Sequence, residues 1–223
     1  MAEDYLTDDE QLEEVKRYVR EYAPVLIIGA LLGAGGLFGW RYYQSYQTER
    51  GLKAAAQFAL LSATLPGNDA AKSRQAAADL IKDYPSSPYA DQAKLVLARI
   101  DVDSGQEANA VAPLTEVMNG SKDAELRQIA RLRLARVLID QGKPDDAIKL
   151  LSEANPGSFA GRYHEVHADA LYAKKDTAGA IAEYKAALDA ADAGGVDAAM
   201  VEMKLADLGA VDKHLEKLNM VKP

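Results

Sequence analysis

An uninterrupted apolar stretch near the beginning restricts this sequence more than any other feature. From Ala23 to Trp40, 18 consecutive residues include no charged and no strongly polar side chain. An α-helix of this length would extend about 27 Å, and the hydrocarbon layer of a membrane is about 30 Å thick. We therefore predict an N-terminal transmembrane helix at residues 23–43, with Pro24 in its first turn, where the missing N–H costs little.

Aromatic side chains stand at both ends of the predicted span. Tyr22 precedes it, and Trp40, Tyr42 and Tyr43 close it. Aromatic rings collect at membrane interfaces because their bodies are apolar and their tips are polar. We expect these four residues to mark the two interfaces.

The glycine-rich part of this stretch, GALLGAGGLFGWRYYQ at residues 29–44, allows two other interpretations. A phosphate-binding loop would need a preceding strand and a βαβ unit, whereas a charged helical segment precedes it. A cleaved export signal has a core of about 7–15 residues and a small-x-small cleavage site. This run is longer and ends in bulky side chains, which favours an uncleaved signal anchor.

Three of the glycines lie on one face of the predicted helix, because Gly29, Gly33 and Gly36 follow at spacings of four and three. Gly35 and Gly39 form a second such pair. Small residues allow another membrane helix to approach closely. We predict a helix-packing face at Gly29, Gly33 and Gly36; the alternative is that glycine is simply common in membrane helices.

Basic residues set the expected orientation of the span. Lys16, Arg17 and Arg20 lie within eight residues before the apolar run at 23–40, and Arg41 alone lies that close after this run, although Arg50 and Lys53 come soon after. The positive-inside rule then places the N-terminus in the cytoplasm. The difference is small, so charge favours this topology without fixing it.

Residues 1–22 are predicted to form an acidic cytoplasmic tail with an amphipathic helix. Thr7 to Glu10 fit a capping box, and an apolar stripe follows at helical spacing, made of Leu12, Val15, Val19 and Tyr22. The tail could contact a basic partner or remain solvated.

The rest of the chain, residues 44–223, contains a helical repeat. LARIDVDSGQEANAVAPL at 97–114 aligns with LARVLIDQGKPDDAIKLL at 134–151 at an offset of 37, and a weaker third copy follows after 33 residues. A helix-turn-helix unit of about 34 residues is typical of tetratricopeptide repeats. We predict an all-α chain, in which the transmembrane helix precedes a tetratricopeptide-like α-solenoid.

The clearest repeats are expected at about 90–119, 124–154 and 160–191. A less regular pair at about 48–64 and 69–84 would precede them, and a capping helix at about 196–218 would cover the last. The alignment places small side chains where paired helices must pack closely, at Ala98, Ala135 and Ala168 in the first helices and at Ala110, Ala147 and Ala180 in the second.

Several function classes are disfavoured. The net charge of -8 disfavours general nucleic-acid binding, and the absence of cysteine excludes disulfides and thiolate chemistry. His164-Glu165-Val166-His167 misses the zinc-protease pattern, because Ala168 occupies the second histidine position. We therefore expect a non-enzymatic protein without metal or cofactor.

Repeat arrays of this kind usually bind partners on the concave face formed by their first helices. The alignment puts Arg99, Arg136 and Asp169 at equivalent positions that could face this groove; the alternative is plain solvated surface. No Lys/Asn clamp for a C-terminal carboxylate recurs across the three units.

The complete layout resembles the ancillary SecYEG translocon subunit family (YfgM-like). The resemblance is carried by EQLEEVKRYV at 10–19, the glycine-patterned segment at 29–44, LRLARVLIDQGKPDDAIKLL at 132–151 and EMKLADL at 202–208. It covers nearly the full chain, and the first half is its more specific part.

The resemblance implies a single-pass type II protein of the cell inner membrane with a periplasmic repeat domain. It also implies association with SecYEG and with a membrane-anchored periplasmic chaperone of the PpiD type, and transfer of translocated polypeptides to periplasmic chaperones. A cell-envelope scaffold unrelated to the translocon is the alternative.

Overall fold

The computed structural model describes residues 8–65, 69–190 and 195–210. Over these ranges the secondary structure is entirely helical, which confirms the predicted fold class. The chain divides into two compact units, residues 1–53 and 54–223. The helices are α1 (Asp8–Thr64), α2 (Ala70–Asp83), α3 (Pro88–Asp103), α4 (Glu107–Gly120), α5 (Ala124–Asp140), α6 (Pro144–Ser152), α7 (Ala160–Ala173), α8 (Thr177–Asp189) and α9 (Ala198–Asp207), and a short 3₁₀ turn lies at Gly157–Phe159.

The first unit is formed by α1, which continues without a break through the predicted tail and span. The sequence suggested that Pro24 lies in the first turn of a helix, but it lies inside α1. Its ring leaves the carbonyl of Arg20 without the usual helical donor. Near a membrane interface, water can satisfy such a carbonyl. Thr7 of the predicted capping box lies outside the described residues.

The second unit is built from helix pairs. The three predicted repeats correspond to α3 with α4, α5 with α6, and α7 with α8, and each helix from α2 to α9 contacts the next. The end of α1 and α2 form the preceding pair. In this pair the Thr64 and Ser73 hydroxyl oxygens are 2.7 Å apart. The ring of Phe58 on α1 also reaches the next helix, with its centroid 5.7 Å from that of Tyr89 on α3.

The core consists of four apolar clusters, and each one joins a helix pair to the next first helix. Leu61 and Leu80 contribute to the first cluster, Leu114 to the second, Val166 to the third and Leu205 to the fourth. This is the arrangement that stacking requires, because a single pair cannot bury its own apolar face. The six alanines of the repeat alignment are all at most 2 % exposed.

The same tight turn joins the two helices of each repeat. Gly105, Gly142 and Lys175 occupy equivalent positions, and all have positive φ, of 70°, 73° and 67°. The next residue donates its N–H five residues back, for example from Lys143 to the Leu138 carbonyl at 2.8 Å. This is a Schellman ending, and it fixes the register of the repeat.

Helix α9 lies within the segment at about 196–218 that was predicted as a capping helix. Val201 and Leu205 are buried in the last cluster, whereas Met200 and Met203 are exposed. The helix ends at Asp207, and Gly209, two residues later, has a φ of 72°. The remainder of the predicted segment, including His214 and Leu215, lies outside the described residues.

Candidate interaction surfaces

The first helices of the repeats lie side by side, since α3 contacts α5 and α5 contacts α7. Two neighbouring cavities, of about 400 and 370 Å³, open along α3 and α5. They share Arg99, Asp103 and Arg133 as lining residues. We call this pair of cavities the α3–α5 groove; each is of a size that proteins use to hold ligands.

Two of the three predicted groove residues line it. The Arg99 side chain is exposed, with its Nε 3.4 Å from Asp103 Oδ2. Arg136 lines the second cavity, and its Nη2 is 3.5 Å from Glu165 Oε2. Both guanidinium groups therefore meet a carboxylate at long range, which contributes little to stability at an accessible position.

Asp169 belongs instead to a polar cluster against the capping helix. It accepts hydrogen bonds from Tyr184 Oη at 2.5 Å and from Lys204 Nζ at 2.7 Å. Lys204 Nζ also donates to Glu165 Oε1 at 3.1 Å. Burial and the hydrogen bond to Asp169 raise the pKa of Tyr184. Asp169 therefore fastens α9 to the last repeat.

Arg133 also lines the groove, although the repeat alignment did not point to it. Its Nη1 donates to the Leu95 carbonyl at 3.2 Å. The side chain is reached by solvent, yet the surrounding protein removes part of the water from the guanidinium. This desolvation, with the charges of Arg99, Arg136 and Arg162, lowers the pKa of Arg133. The three-residue spacing of Arg133 and Arg136 on one helix face was the signal available.

An acidic group closes the other end of the groove. Asp140 lies seven residues after Arg133, about 10 Å further along the same helix. Desolvation and the charges of Glu107 and Asp169 raise the pKa of Asp140, and Arg136 opposes this effect. The groove is thus positive in its middle and negative at one end.

The two histidines of α7 have a plain structural role. His164 Nδ1 lies 2.7 Å and His167 Nδ1 lies 3.3 Å from the two oxygens of Glu183. They join α7 to α8 on their solvent side. Within the described ranges, no group of three or more His, Cys, Asp or Glu side chains is placed to hold a metal ion.

The described part of α1 has an unusually apolar exposed surface. Val25, Leu31 and Phe38 are 66, 67 and 73 % exposed. An exposed apolar surface of this extent indicates contact with a membrane or another protein. By length and composition, α1 is able to cross a membrane.

The predicted glycine face is open within the first unit. A Cβ atom placed on Gly29, Gly33 or Gly36 would meet no other atom within 4 Å. The groove that the missing side chains leave along α1 is therefore accessible to a neighbouring helix.

The aromatic and basic residues around the predicted span are also exposed. Tyr22, Trp40, Tyr42 and Tyr43 are at least 50 % exposed, and Tyr43 Oη accepts from Gln47 Nε2 at 2.9 Å. Among the basic residues before the span is Lys16, whose Nζ lies 3.3 Å from Glu13 Oε1; the others are Arg17 and Arg20.

Comparison with known proteins agrees with this architecture. The family model described as "Tetratricopeptide repeat-like domain" matches residues 16–210. A curated protein of Escherichia coli K12 named "Ancillary SecYEG translocon subunit" is 29 % identical over 92 % of this chain and 98 % of its own length. Proteins with the same name from Haemophilus influenzae and Aggregatibacter actinomycetemcomitans are 27 and 26 % identical; each match covers 56 % of this chain and 60 or 61 % of the relative. No solved structure matches significantly.

Proposed function

Because the chain belongs to the tetratricopeptide repeat-like domain family, we propose that it is a non-enzymatic adaptor, held in the inner membrane by α1 and associated with the SecYEG translocon. The observation that carries this proposal is the similarity to a named translocon subunit over 98 % of that protein's length. The exposed apolar surface of α1 supports the membrane location. Repeat domains of this kind act by binding partners, which supports a role without catalysis.

The adaptor places its repeat domain in the periplasm. Lys16, Arg17 and Arg20 before the span favour a cytoplasmic N-terminus under the positive-inside rule. In this orientation the repeat domain lies on the side of the membrane where translocated polypeptides emerge. The domain then transfers them to periplasmic chaperones, including a membrane-anchored chaperone of the PpiD type.

The glycine face of α1 is the proposed contact with a partner helix in the membrane. Gly29, Gly33 and Gly36 leave open space along one side of the helix. Helices associate in lipid through such close approach, since lipid is as apolar as the helices themselves. A bulky side chain at these positions would keep a partner backbone at a distance.

Co-purification in mild detergent tests the association. Full-length protein should retain SecYEG, and the triple variant G29L/G33L/G36L should lose it. The matched control L31F adds bulk on the opposite face and should retain SecYEG. Recovery of the wild-type chain with other envelope proteins but without SecYEG would contradict the proposal and favour a scaffold of a different assembly.

Protease accessibility in spheroplasts tests the topology. Residues beyond about 45 should be cut from outside the inner membrane. If they resist cleavage until that membrane is broken, the repeat domain is cytoplasmic and transfer in the periplasm is excluded.

A further inference from the structure

Two arginines, Arg99 and Arg133, lie at the junction of the two cavities of the α3–α5 groove, together with Asp103. Arg133 lines both the 400 Å³ cavity towards α2 and the 370 Å³ cavity towards α4. A chain that follows the groove from one cavity into the other would pass over this guanidinium. The junction is therefore suited to the middle of an extended segment and not to its end.

Of the two arginines at this junction, only Arg99 has a carboxylate partner among the described residues. Arg99 has Asp103 within 3.4 Å, and Arg136 has Glu165 within 3.5 Å. For Arg133, no carboxylate of the described residues lies within 4.0 Å, and its bond to the Leu95 carbonyl uses one of five N–H donors. The neighbouring arginines raise the local positive potential further.

The walls of the groove carry apolar side chains on either side of this charge, and in the first cavity these are mixed with the polar residues Asp69, Ser73 and Ser104. Leu95 and Val96 line the first cavity, and Val102, Leu114 and Val137 line the second. The acidic group Asp140 stands about two turns from Arg133 along α5, and Asp103 at the junction has the exposed Arg99 Nε 3.4 Å away as its counterion. A single negative group at the junction, with apolar groups on both sides of it, would match this pattern.

We propose that the α3–α5 groove binds an extended polypeptide segment whose internal Asp or Glu side chain pairs with Arg133 while the flanking apolar side chains enter the two cavities. A guanidinium and a carboxylate form charge-assisted, bidentate hydrogen bonds. Side chains of an extended segment alternate in direction, so the residues two positions before and after the acidic one point the same way as it does and can enter the two cavities. The inference rests on the proposed function only in taking polypeptides as the ligands of the repeat domain.

The test uses a defined peptide mixture and the full-length protein in nanodiscs. The probes are fluorescein-labelled pentapeptides with amidated C-termini, a central Glu, and Ala, Val and Leu mixed at the four flanking positions. A second mixture has Gln at the centre. Fluorescence anisotropy should show about tenfold tighter binding of the Glu mixture at low salt, as a charge-assisted hydrogen bond predicts. The preference should shrink at high salt because the groove is open to solvent.

Variants of α5 assign the effect to one side chain. R133M should bind the Glu and Gln mixtures with about equal affinity. R133K, which keeps the charge, should retain part of the preference for Glu. The matched control is R131M, since Arg131 lies on the same helix and also donates to a carbonyl, that of Leu150 at 3.0 Å. Thermal unfolding of each variant verifies that the domain remains folded.

The inference would be overturned by equal affinity for the Glu and Gln mixtures, by no measurable binding of either mixture, or by an equal loss in R131M and R133M. A Gln mixture with a free C-terminus that binds more tightly than the amidated Glu mixture would also overturn it, because the groove would then hold a chain end. Co-purification of SecYEG is measured on the same R133M protein. Loss of peptide preference with SecYEG retained separates this inference from the proposed association.

Discussion

The tight turn between α7 and α8 should be more stable with glycine at position 175 than with the lysine that is present. Lys175 has a φ of 67°, whereas its equivalents in the two preceding repeats are Gly105 and Gly142. In this conformation the Cβ of an L-residue crowds the following carbonyl. The turn is nevertheless held, because Asp176 N donates to the Leu171 carbonyl at 3.0 Å. Lys175→Gly should therefore relieve strain without changing the fold.

The expected gain in stability is the backbone strain that glycine relieves minus the entropy that glycine adds to the unfolded chain. The left-handed conformation costs a non-glycine residue about 1–2 kcal/mol. Glycine gives back about 0.4–1 kcal/mol through the greater entropy of the unfolded chain. Lys175→Gly should therefore stabilise the repeat domain by about 1 kcal/mol, which corresponds to a rise in Tm of about 2–4 °C for a domain of this size.

Circular dichroism of thermal unfolding measures this change, with two matched substitutions. Gly142→Ala at the equivalent turn should lower Tm by a similar amount. Lys174→Gly, one residue earlier at an ordinary φ of -79°, should lower Tm, because there glycine adds only unfolded-state entropy. If Lys175→Gly and Lys174→Gly changed Tm in the same direction, the strain argument would be refuted.

Two further predictions concern packing and pH. Gly161→Ala would bring a Cβ within 2.5 Å of Val196 Cγ2 and should lower the free energy of unfolding by about 1–3 kcal/mol. Gly120→Ala, whose Cβ would meet no atom within 4 Å, should leave the domain equally or more stable. Equal denaturation midpoints for the two variants would contradict this. Asp140→Asn should stabilise the domain at pH 7, because a raised pKa means that the folded state disfavours the ionised carboxyl, most of all through desolvation and the charge of Glu107. The gain should disappear as pH falls below the ordinary carboxyl range, where Asp140 is protonated in both states, and urea titrations at the two pH values measure it.

The repeat could be predicted from sequence because its determinants are local. Gly105 and Gly142 signal the turn, and the alanines at matched positions signal close helix packing. The third copy was weaker in sequence since Lys175 replaces the glycine, although the backbone keeps the same conformation. The glycines and alanines therefore indicated the repeat in the first two copies. In the third copy, stacking against the neighbouring helices keeps the same turn although the glycine is missing.

The groove was predicted only in part, because its contacts join residues far apart in the chain. Arg133 reaches the Leu95 carbonyl 38 residues earlier, and Lys204 reaches Glu165 39 residues earlier. These distances depend on how the repeats stack, which the spacing of side chains on one helix does not reveal. For the same reason, the contacts of Asp169 with Tyr184 and Lys204 did not follow from its alignment with Arg99 and Arg136. The continuity of α1 through Pro24 was also not evident, since proline normally marks a helix start.

Photo-crosslinking in native inner membranes tests the central claim most directly. A photoreactive leucine analogue at Leu32, beside the glycine face, should form an adduct with a SecYEG subunit, and the same analogue at Leu31, on the opposite side of the helix, should form fewer such adducts or none. Adducts with lipid alone at both positions would contradict the account.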